Sequence, residues 1–227
     1  MYLIYSLVIV TVLTLIFSDL IRKYSKIFYG LASSIAGLVI VYEIFRLTNS
    51  LKLEGFMGNL EKVFMKGNVS ISFFVLVMFA GALNKKWNIT KKLFSVRAEI
   101  AILGSILIIP HCVMYAVRFI NKLIVGKPIT IFYIVYLLIG LIGFCIMIPL
   151  FITSFKKVRA KMSYKEWRKL QRLAYPFYFI AYIHIVLALL NNKLDWVKLI
   201  TYTVLFIGYF ILKIVREKKQ WDKFKYR

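Results

Sequence analysis

The sequence has few of the residues from which soluble active sites are usually built. Its 227 residues include two cysteines, two histidines and nine acidic residues. Cys112 and Cys145 form neither a CxxC pair nor a zinc-like spacing, so we expect both to be small, buried apolar residues. The sequence also contains no nucleophile–base pair, carboxylate dyad or phosphate-binding glycine loop. It therefore offers no motif for hydrolysis, for a zinc centre or for nucleotide binding.

Long apolar runs are what the sequence has instead. Hydrophobic residues make up 61% of it and its mean hydropathy is +0.78, which is rare for a soluble domain of this length. About twenty apolar residues cross a hydrocarbon core of ~30 Å. Candidate spans lie at 2–19, 27–47, 69–84, 98–120, 131–153, 173–190 and 197–215, the first and third being short. The predicted fold is all-α: a polytopic membrane bundle of six or seven helices, with no spare length for a second domain.

Basic residues outnumber acidic ones by 32 to 9, which gives a formal net charge of +23. Most lie in alternate loops between the predicted spans, where they set topology and meet anionic lipid. Membrane lipid, not nucleic acid, is therefore the expected partner. The positive-inside rule puts the N-terminus outside and the C-terminus in the cytoplasm of a multi-pass plasma-membrane protein. The outer loop at 48–68 is expected to include a short amphipathic helix.

Both histidines lie deep inside apolar spans, where an ionisable side chain is costly and usually functional. His111 follows Arg97 by 14 residues and His184 follows Arg172 by 12. At 1.5 Å per residue, these separations put the two imidazoles ~21 Å and ~18 Å into the membrane, at nearly equal depth. Two neutral imidazoles at one depth could share an iron atom. A bis-histidine haem b leaves no open position and suits electron transfer.

Small residues flank the histidines and would let a porphyrin approach each helix closely. Gly104 precedes His111 by two turns on the same helix face, and Ala181 and Ala188 bracket the second histidine. Arg118 lies near the outer end of its span and could pair with a haem propionate. The same residues would also suit plain helix packing, interhelical hydrogen bonding and snorkelling.

Two segments of the sequence resemble the ferric reductase-like transmembrane domain. LFSVRAEIAILGSILIIPH at 93–111 resembles the family's R-x-x-LG…H pattern, and WRKLQRLAYPFYFIAYIH at 167–184 resembles its W-x-x-LHRL-x-Y…H pattern. By size, the chain is most similar to the small haem-binding subunit of the bacterial periplasmic methionine-sulfoxide reductase system, MsrQ (YedZ). The resemblance implies a membrane oxidoreductase subunit that passes electrons outward.

In larger family members, two histidines about thirteen residues apart on each of two helices hold two stacked b haems. By this resemblance His111 and His184 match the two outer ligands. The inner positions depart from the pattern, since Gln171 replaces one histidine and residues 97–99 offer none on the other helix. The resemblance therefore implies one haem b, in the outer half of the membrane.

The resemblance also divides the chain into three parts. Residues 1–26 form a short extra transmembrane helix outside the core, with the first basic loop. Residues 27–215 form the ferric reductase-like transmembrane domain. Residues 216–227 form a basic cytoplasmic tail that we expect to act as an interfacial anchor.

The electron donor is expected to be a membrane quinol or a flavin such as FMN, because no flavin or nicotinamide domain follows the last span in this sequence. Arg97, Trp167, Arg168 and Arg172 could cradle a flavin phosphate near the cytoplasmic side, although each also suits an ordinary positive-inside or aromatic-belt role. The acceptor would be an extracytoplasmic redox partner protein.

Two other functions remain open. The histidines could relay protons in a proton-coupled transporter, an idea that kinks at Pro110 and Pro176 weakly favour. However, the sequence contains no inverted repeat or paired Gly/Pro-broken spans. Alternatively, the chain could be a scaffold that has lost its haem, as the missing inner histidines allow.

Overall fold

The computed structural model describes residues 2–49, 53–191 and 195–225, with side chains described up to residue 218 except that of residue 49. Within these ranges the chain is helical and contains no strand, which confirms the all-α prediction. The helices, in chain order, are α1 (Tyr2–Ile16), α2 (Ser18–Lys23), α3 (Ser25–Asn49), α4 (Gly55–Met65), α5 (Asn68–Ala82), α6 (Asn88–Ser95), α7 (Arg97–Leu107), α8 (Ile109–Ile124), α9 (Ile131–Ser154), α10 (Lys156–Arg159), α11 (Tyr164–Gln171), α12 (Ala174–Leu190) and α13 (Trp196–Lys225).

Most of the predicted spans are helices long and apolar enough to cross a membrane. Among the described residues five segments qualify, and each overlaps a predicted span: Ser25–Thr48, Arg97–Ile124, Ile131–Ser154, Tyr164–Leu190 and Trp196–Lys218. α4 and α5 meet at a bend of 50° and would make a sixth span if counted together. α1 has 15 residues, or about 22 Å of helix, less than the hydrocarbon thickness. The chain is a multi-pass membrane protein.

α5 is the central helix of the bundle. Most of its residues are buried, as expected for a helix that is apolar all round. It packs against α1, α7 and α13. Leu3 and Val10 of α1 belong to the same hydrophobic core as Phe74 and Met78 of α5. α1 is therefore short, as expected, and it packs into the hydrophobic core of the bundle.

The bend between α4 and α5 depends on Gly67. Its φ of +69° lies in the left-handed region, which glycine occupies at little cost. The next residue, Asn68, is buried, and its side-chain oxygen accepts a hydrogen bond from the Tyr202 hydroxyl on α13 at 3.3 Å. The conformation of Gly67 and this hydrogen bond together fix the turn. The turn holds the carbonyl of Met65 beside α8.

The end of the bundle that the basic loops predict to be cytoplasmic is tied together around the end of α9. Ser163 and Glu166 form a capping box that starts α11. Trp167 of α11 donates its indole N–H to the Thr153 carbonyl at 3.2 Å. Gln171 donates to the Thr153 hydroxyl at 3.1 Å. These bonds fix the direction in which α11 leads into α12.

Candidate functional site

His111 lies in the first turn of α8, directly after Pro110. Its Nδ1 is 2.9 Å from the carbonyl oxygen of Met65, at the end of α4. A carbonyl oxygen can only accept, so Nδ1 carries the ring proton and donates it. The Nε2 lone pair of the neutral ring is consequently left for a ligand.

His184 lies in the middle of α12 and is held in the same way. Its Nδ1 is 2.9 Å from the carbonyl oxygen of Tyr136 on α9. By the same argument Nδ1 donates, and the Nε2 lone pair remains available. This arrangement, with one ring nitrogen donating to a backbone carbonyl, is typical of histidines that bind metals.

The structure brings the two histidines together. Their ring centroids are 6.2 Å apart and the ring planes are perpendicular. Metal–imidazole bonds are about 2 Å long, so two rings on opposite sides of one metal ion have centroids roughly 6 Å apart once the ring radii are added. The observed centroid separation therefore matches that of two rings that share one ion.

A cavity of about 900 Å³ adjoins both histidines. It is bounded mainly by α8, α9 and α12 and by the turn between α4 and α5. Ala181 and Ala188, the small residues predicted to flank the second histidine, both line it, as does Cys112. The volume is within the range of cofactor-sized pockets, and the walls are largely apolar. Cys145 is exposed on the surface of the bundle and not buried as predicted.

Two lysines line the same cavity. Lys66 lies at the end of α4 and Lys198 in the first turn of α13. Lys198 is paired at 2.6 Å with Asp195, whose carboxylate also accepts from the backbone N–H of Lys198 at 3.1 Å. The side-chain hydrogen bond from Lys198 lowers the pKa of Asp195, so the acid is ionised at neutral pH. The apolar cavity therefore has a charged edge.

Arg118, predicted to meet a propionate, is instead engaged by a protein carboxylate. Its guanidinium forms an ion pair with Glu43 of α3, and Glu43 is also bound at 2.8 Å by Arg46. The Glu43 side chain is 0% exposed. Glu43 could not be predicted as this partner, because spacing along one helix does not reveal contacts between helices.

Gly104 also lies elsewhere than predicted. A Cβ atom at this position would be 3.0 Å from Cβ of Phe73 and 3.1 Å from the ring of Phe74. Gly104 therefore allows the close crossing of α7 on α5. The two-turn spacing to His111 is correct, but that face of the helix is covered by α5 in the structure.

The sequence predicted a phosphate cradle formed by Arg97, Trp167, Arg168 and Arg172. The Arg97 guanidinium lies near Gly81, 3.6 Å from where a Cβ of that glycine would be, and Arg172 and Arg168 are exposed. Trp167 packs under the guanidinium of Arg159 at 5.6 Å. Trp167 therefore contacts Arg159, which was not among the arginines predicted to form the cradle.

Gln171 stands where the resemblance places the inner histidine, and its side chain contacts a neighbouring helix. Gln171 is hydrogen-bonded to Thr153 of α9. The sequence contains no histidine besides the outer pair. A second pair of histidines like His111 and His184 therefore cannot form in this chain.

Comparison with known protein families shows where the chain belongs. The model of the family described as ferric reductase like transmembrane component matches residues 66–182. This is just over half of the chain. The chain belongs to the ferric reductase-like transmembrane family. The matched region contains His111 and ends two residues before His184. The match is to the family as a whole, so closeness to the MsrQ group stays a prediction.

A protein of Treponema pallidum (strain Nichols), described only as uncharacterised, is similar along most of the chain. It is 29% identical over 216 residues, which cover 92% of this chain and 59% of that protein. The chain thus spans less than two thirds of the relative's length. Membership of the family indicates a membrane electron-transfer subunit.

Proposed function

We propose that the chain is a b-type cytochrome that holds one haem b between His111 and His184. One observation carries the proposal: both rings use Nδ1 for a backbone carbonyl, and their centroids are 6.2 Å apart. Among the described residues, no three His, Cys, Asp or Glu side chains gather into a metal site. A pair of histidines suits a group that brings four nitrogen ligands of its own and needs only two from the protein.

The residues around the cavity have separable tasks. A haem held by His111 and His184 would supply a one-electron iron couple for electron transfer. The carbonyls of Met65 and Tyr136 fix the tautomer and the orientation of both imidazoles. The apolar walls exclude water, and Lys66, which lines the cavity, would pair with a propionate. Lys198 also lines the cavity but would contribute only if it left Asp195. Arg118 would contribute only if it left Glu43.

We propose that electrons travel outward across the plasma membrane, with the N-terminus outside and the C-terminus in the cytoplasm. The donor would be a quinol or a flavin such as FMN. Trp167 and Arg159, which border a small cavity of about 350 Å³, offer an aromatic face and a cation there. The acceptor would be an extracytoplasmic redox partner protein.

The test is a reduced-minus-oxidised absorbance spectrum of the purified full-length chain from a haem-replete host. We expect a b-type spectrum with one haem per chain, lost in His111→Ala and in His184→Ala because each removes an axial ligand. Cys145→Ala, which changes a residue exposed on the surface of the bundle, should keep the spectrum. Each variant is checked for a monodisperse peak in size-exclusion chromatography.

A featureless spectrum from well-folded wild-type protein would overturn the cytochrome proposal. Substrate-dependent proton uptake in liposomes would then separate a proton-coupled transporter from a scaffold without cofactor.

A further inference from the structure

Gly140 of α9 lies directly against the imidazole of His184. A Cβ atom at Gly140 would be 2.7 Å from Cε1 and 2.8 Å from Nδ1 of the ring, and 3.5 Å from Nε2. Real Cβ atoms essentially never come closer than 3.0 Å to another heavy atom. The Nδ1–Cε1 edge of the ring therefore rests on the α9 backbone, at a point where no other amino acid leaves room for it.

The same stretch of α9 supplies the hydrogen bond that orients the ring. Tyr136, whose carbonyl accepts from Nδ1 of His184, precedes Gly140 by four residues, one helical turn. In an α-helix that carbonyl also accepts the N–H of Gly140, and its two lone pairs can serve both donors. The ring can reach the carbonyl only because Gly140 has no side chain.

His111 has no equally close contact with its nearest glycine. A Cβ at Gly67 would be 3.9 Å from the ring of His111, which is ordinary van der Waals contact. Its close neighbour would be Cδ1 of Ile108, at 2.8 Å. Close contact with glycine backbone is therefore a feature of His184 and not of both ligands.

We propose that Gly140 is a positioning residue: together with the Tyr136 carbonyl it forms a seat that sets the orientation and tautomer of the His184 imidazole. This inference deepens the proposed function, because it assigns to α9 the control of one axial ligand. Substituting Gly140 pushes the ring off α9, breaks the Nδ1 hydrogen bond and changes how Nε2 is presented.

The first test is a double-mutant cycle on the haem-free full-length chain in nanodiscs, so its result does not depend on cofactor binding. We expect Gly140→Ala to lower the thermal midpoint of unfolding by roughly 5 °C in the wild-type background. In the His184→Ala background the loss should vanish, because the ring with which the new methyl group collides is gone. Without that collision alanine is the better helix former.

Gly143→Ala is the matched control on the same helix. Its Cβ would meet only Cγ2 of Ile180, at 3.3 Å. Its effect on the midpoint should be the same in both backgrounds. If Gly140→Ala also had equal effects in the two backgrounds, the seat would be disproved, whether or not the protein binds haem.

The second test uses the haem-loaded protein. Gly140→Ala should shift the low-spin electron paramagnetic resonance g-values and the midpoint potential. Gly37→Ala, on α3 and away from the cavity lining, adds a Cβ that meets nothing within 4 Å and should leave both as in wild type. Unchanged values in Gly140→Ala overturn the inference. The effects of Gly140→Ala and His184→Ala could prove coupled in the haem-free chain while the wild-type chain binds no haem. That result would support the seat and overturn the proposed cytochrome function.

Discussion

Each histidine donates its Nδ1 proton to a backbone carbonyl on a helix other than its own. A backbone carbonyl does not titrate, and most substitutions leave it in place, so the tautomer of each ring follows from the fold. In many metal sites a carboxylate takes this role and makes the ligand more basic. Here the acceptors of both imidazoles are neutral backbone carbonyls.

The buried ion pair of Glu43 gives a prediction about stability. Glu43 is 0% exposed, whereas Arg118 is 27% exposed. Arg118→Leu leaves the buried carboxylate with Arg46 as its one arginine partner, and we expect a loss of about 2 kcal/mol in the free energy of unfolding, less than for a fully buried pair. Thermal unfolding in nanodiscs measures the effect.

The control for this prediction is Arg22→Leu. Arg22 is 3.8 Å from Asp19, and their side chains are 56% and 89% exposed. An exposed pair contributes little, so the change in the free energy of unfolding should be within about 0.5 kcal/mol of zero. Equal losses in the two variants would contradict the account of Glu43 as a buried charge that needs both arginines.

Sequence reasoning reached some of the site's residues and not others, for identifiable reasons. Counting from the basic boundaries found that His111 and His184 lie at similar depth, because rise per residue is a property of one helix. The same counting misplaced Gly104 and Arg118, because what covers a helix face is decided by its neighbours. Gly140 lies in an apolar run in which glycine indicates only packing.

At the scale of helices, the hydropathy pattern predicted the long spans well and the bend poorly. The amphipathic helix expected in the loop at 48–68 appears as α4. Its 50° junction with α5 was not predicted, although Gly67 supplies the required positive φ. Sequence patterns give no angle between helices, and this angle brings the Met65 carbonyl to His111.

The connection from α11 to α12 gives a prediction about cofactor number. Gln171→His restores the residue found at the inner position of larger family members, but it should not add a second haem. Residues 97–99 on α7 provide no second histidine, and position 171 is packed against Thr153. The haem-to-protein ratio, from pyridine haemochrome and amino-acid analysis, should stay at one per chain.

The double variant Gln171→His/Glu99→His is the matching comparison, since it offers an imidazole on each helix. A ratio of two for Gln171→His alone would show that the inner site uses a ligand other than histidine from α7. That result would contradict the assignment of a single outer haem.

At the scale of the whole molecule, the distribution of charge predicts which ends of the helices face the cytoplasm. Lys127 lies in the short loop between α8 and α9, and Lys157 lies in α10; both are exposed. The positive-inside rule assigns the first to the outside and the second to the cytoplasm.

Cysteine labelling tests this orientation. In a chain carrying Cys112→Ala and Cys145→Ala, Lys127→Cys should react with a membrane-impermeant maleimide in intact cells. Lys157→Cys should react only after the membrane is permeabilised. The opposite pattern would reverse the predicted topology and the outward direction of electron flow.

The hydrogen bonds from Met65 and Tyr136 also bear on biogenesis. Both acceptors belong to the polypeptide, so the rings are oriented as soon as α4, α8, α9 and α12 have packed. The conformational entropy of the two histidine side chains is then lost during folding and not during haem binding. Insertion and packing of the helices would therefore precede binding of the proposed haem. In a cell starved of iron, the haem-free chain would remain folded in the membrane with both histidines already oriented.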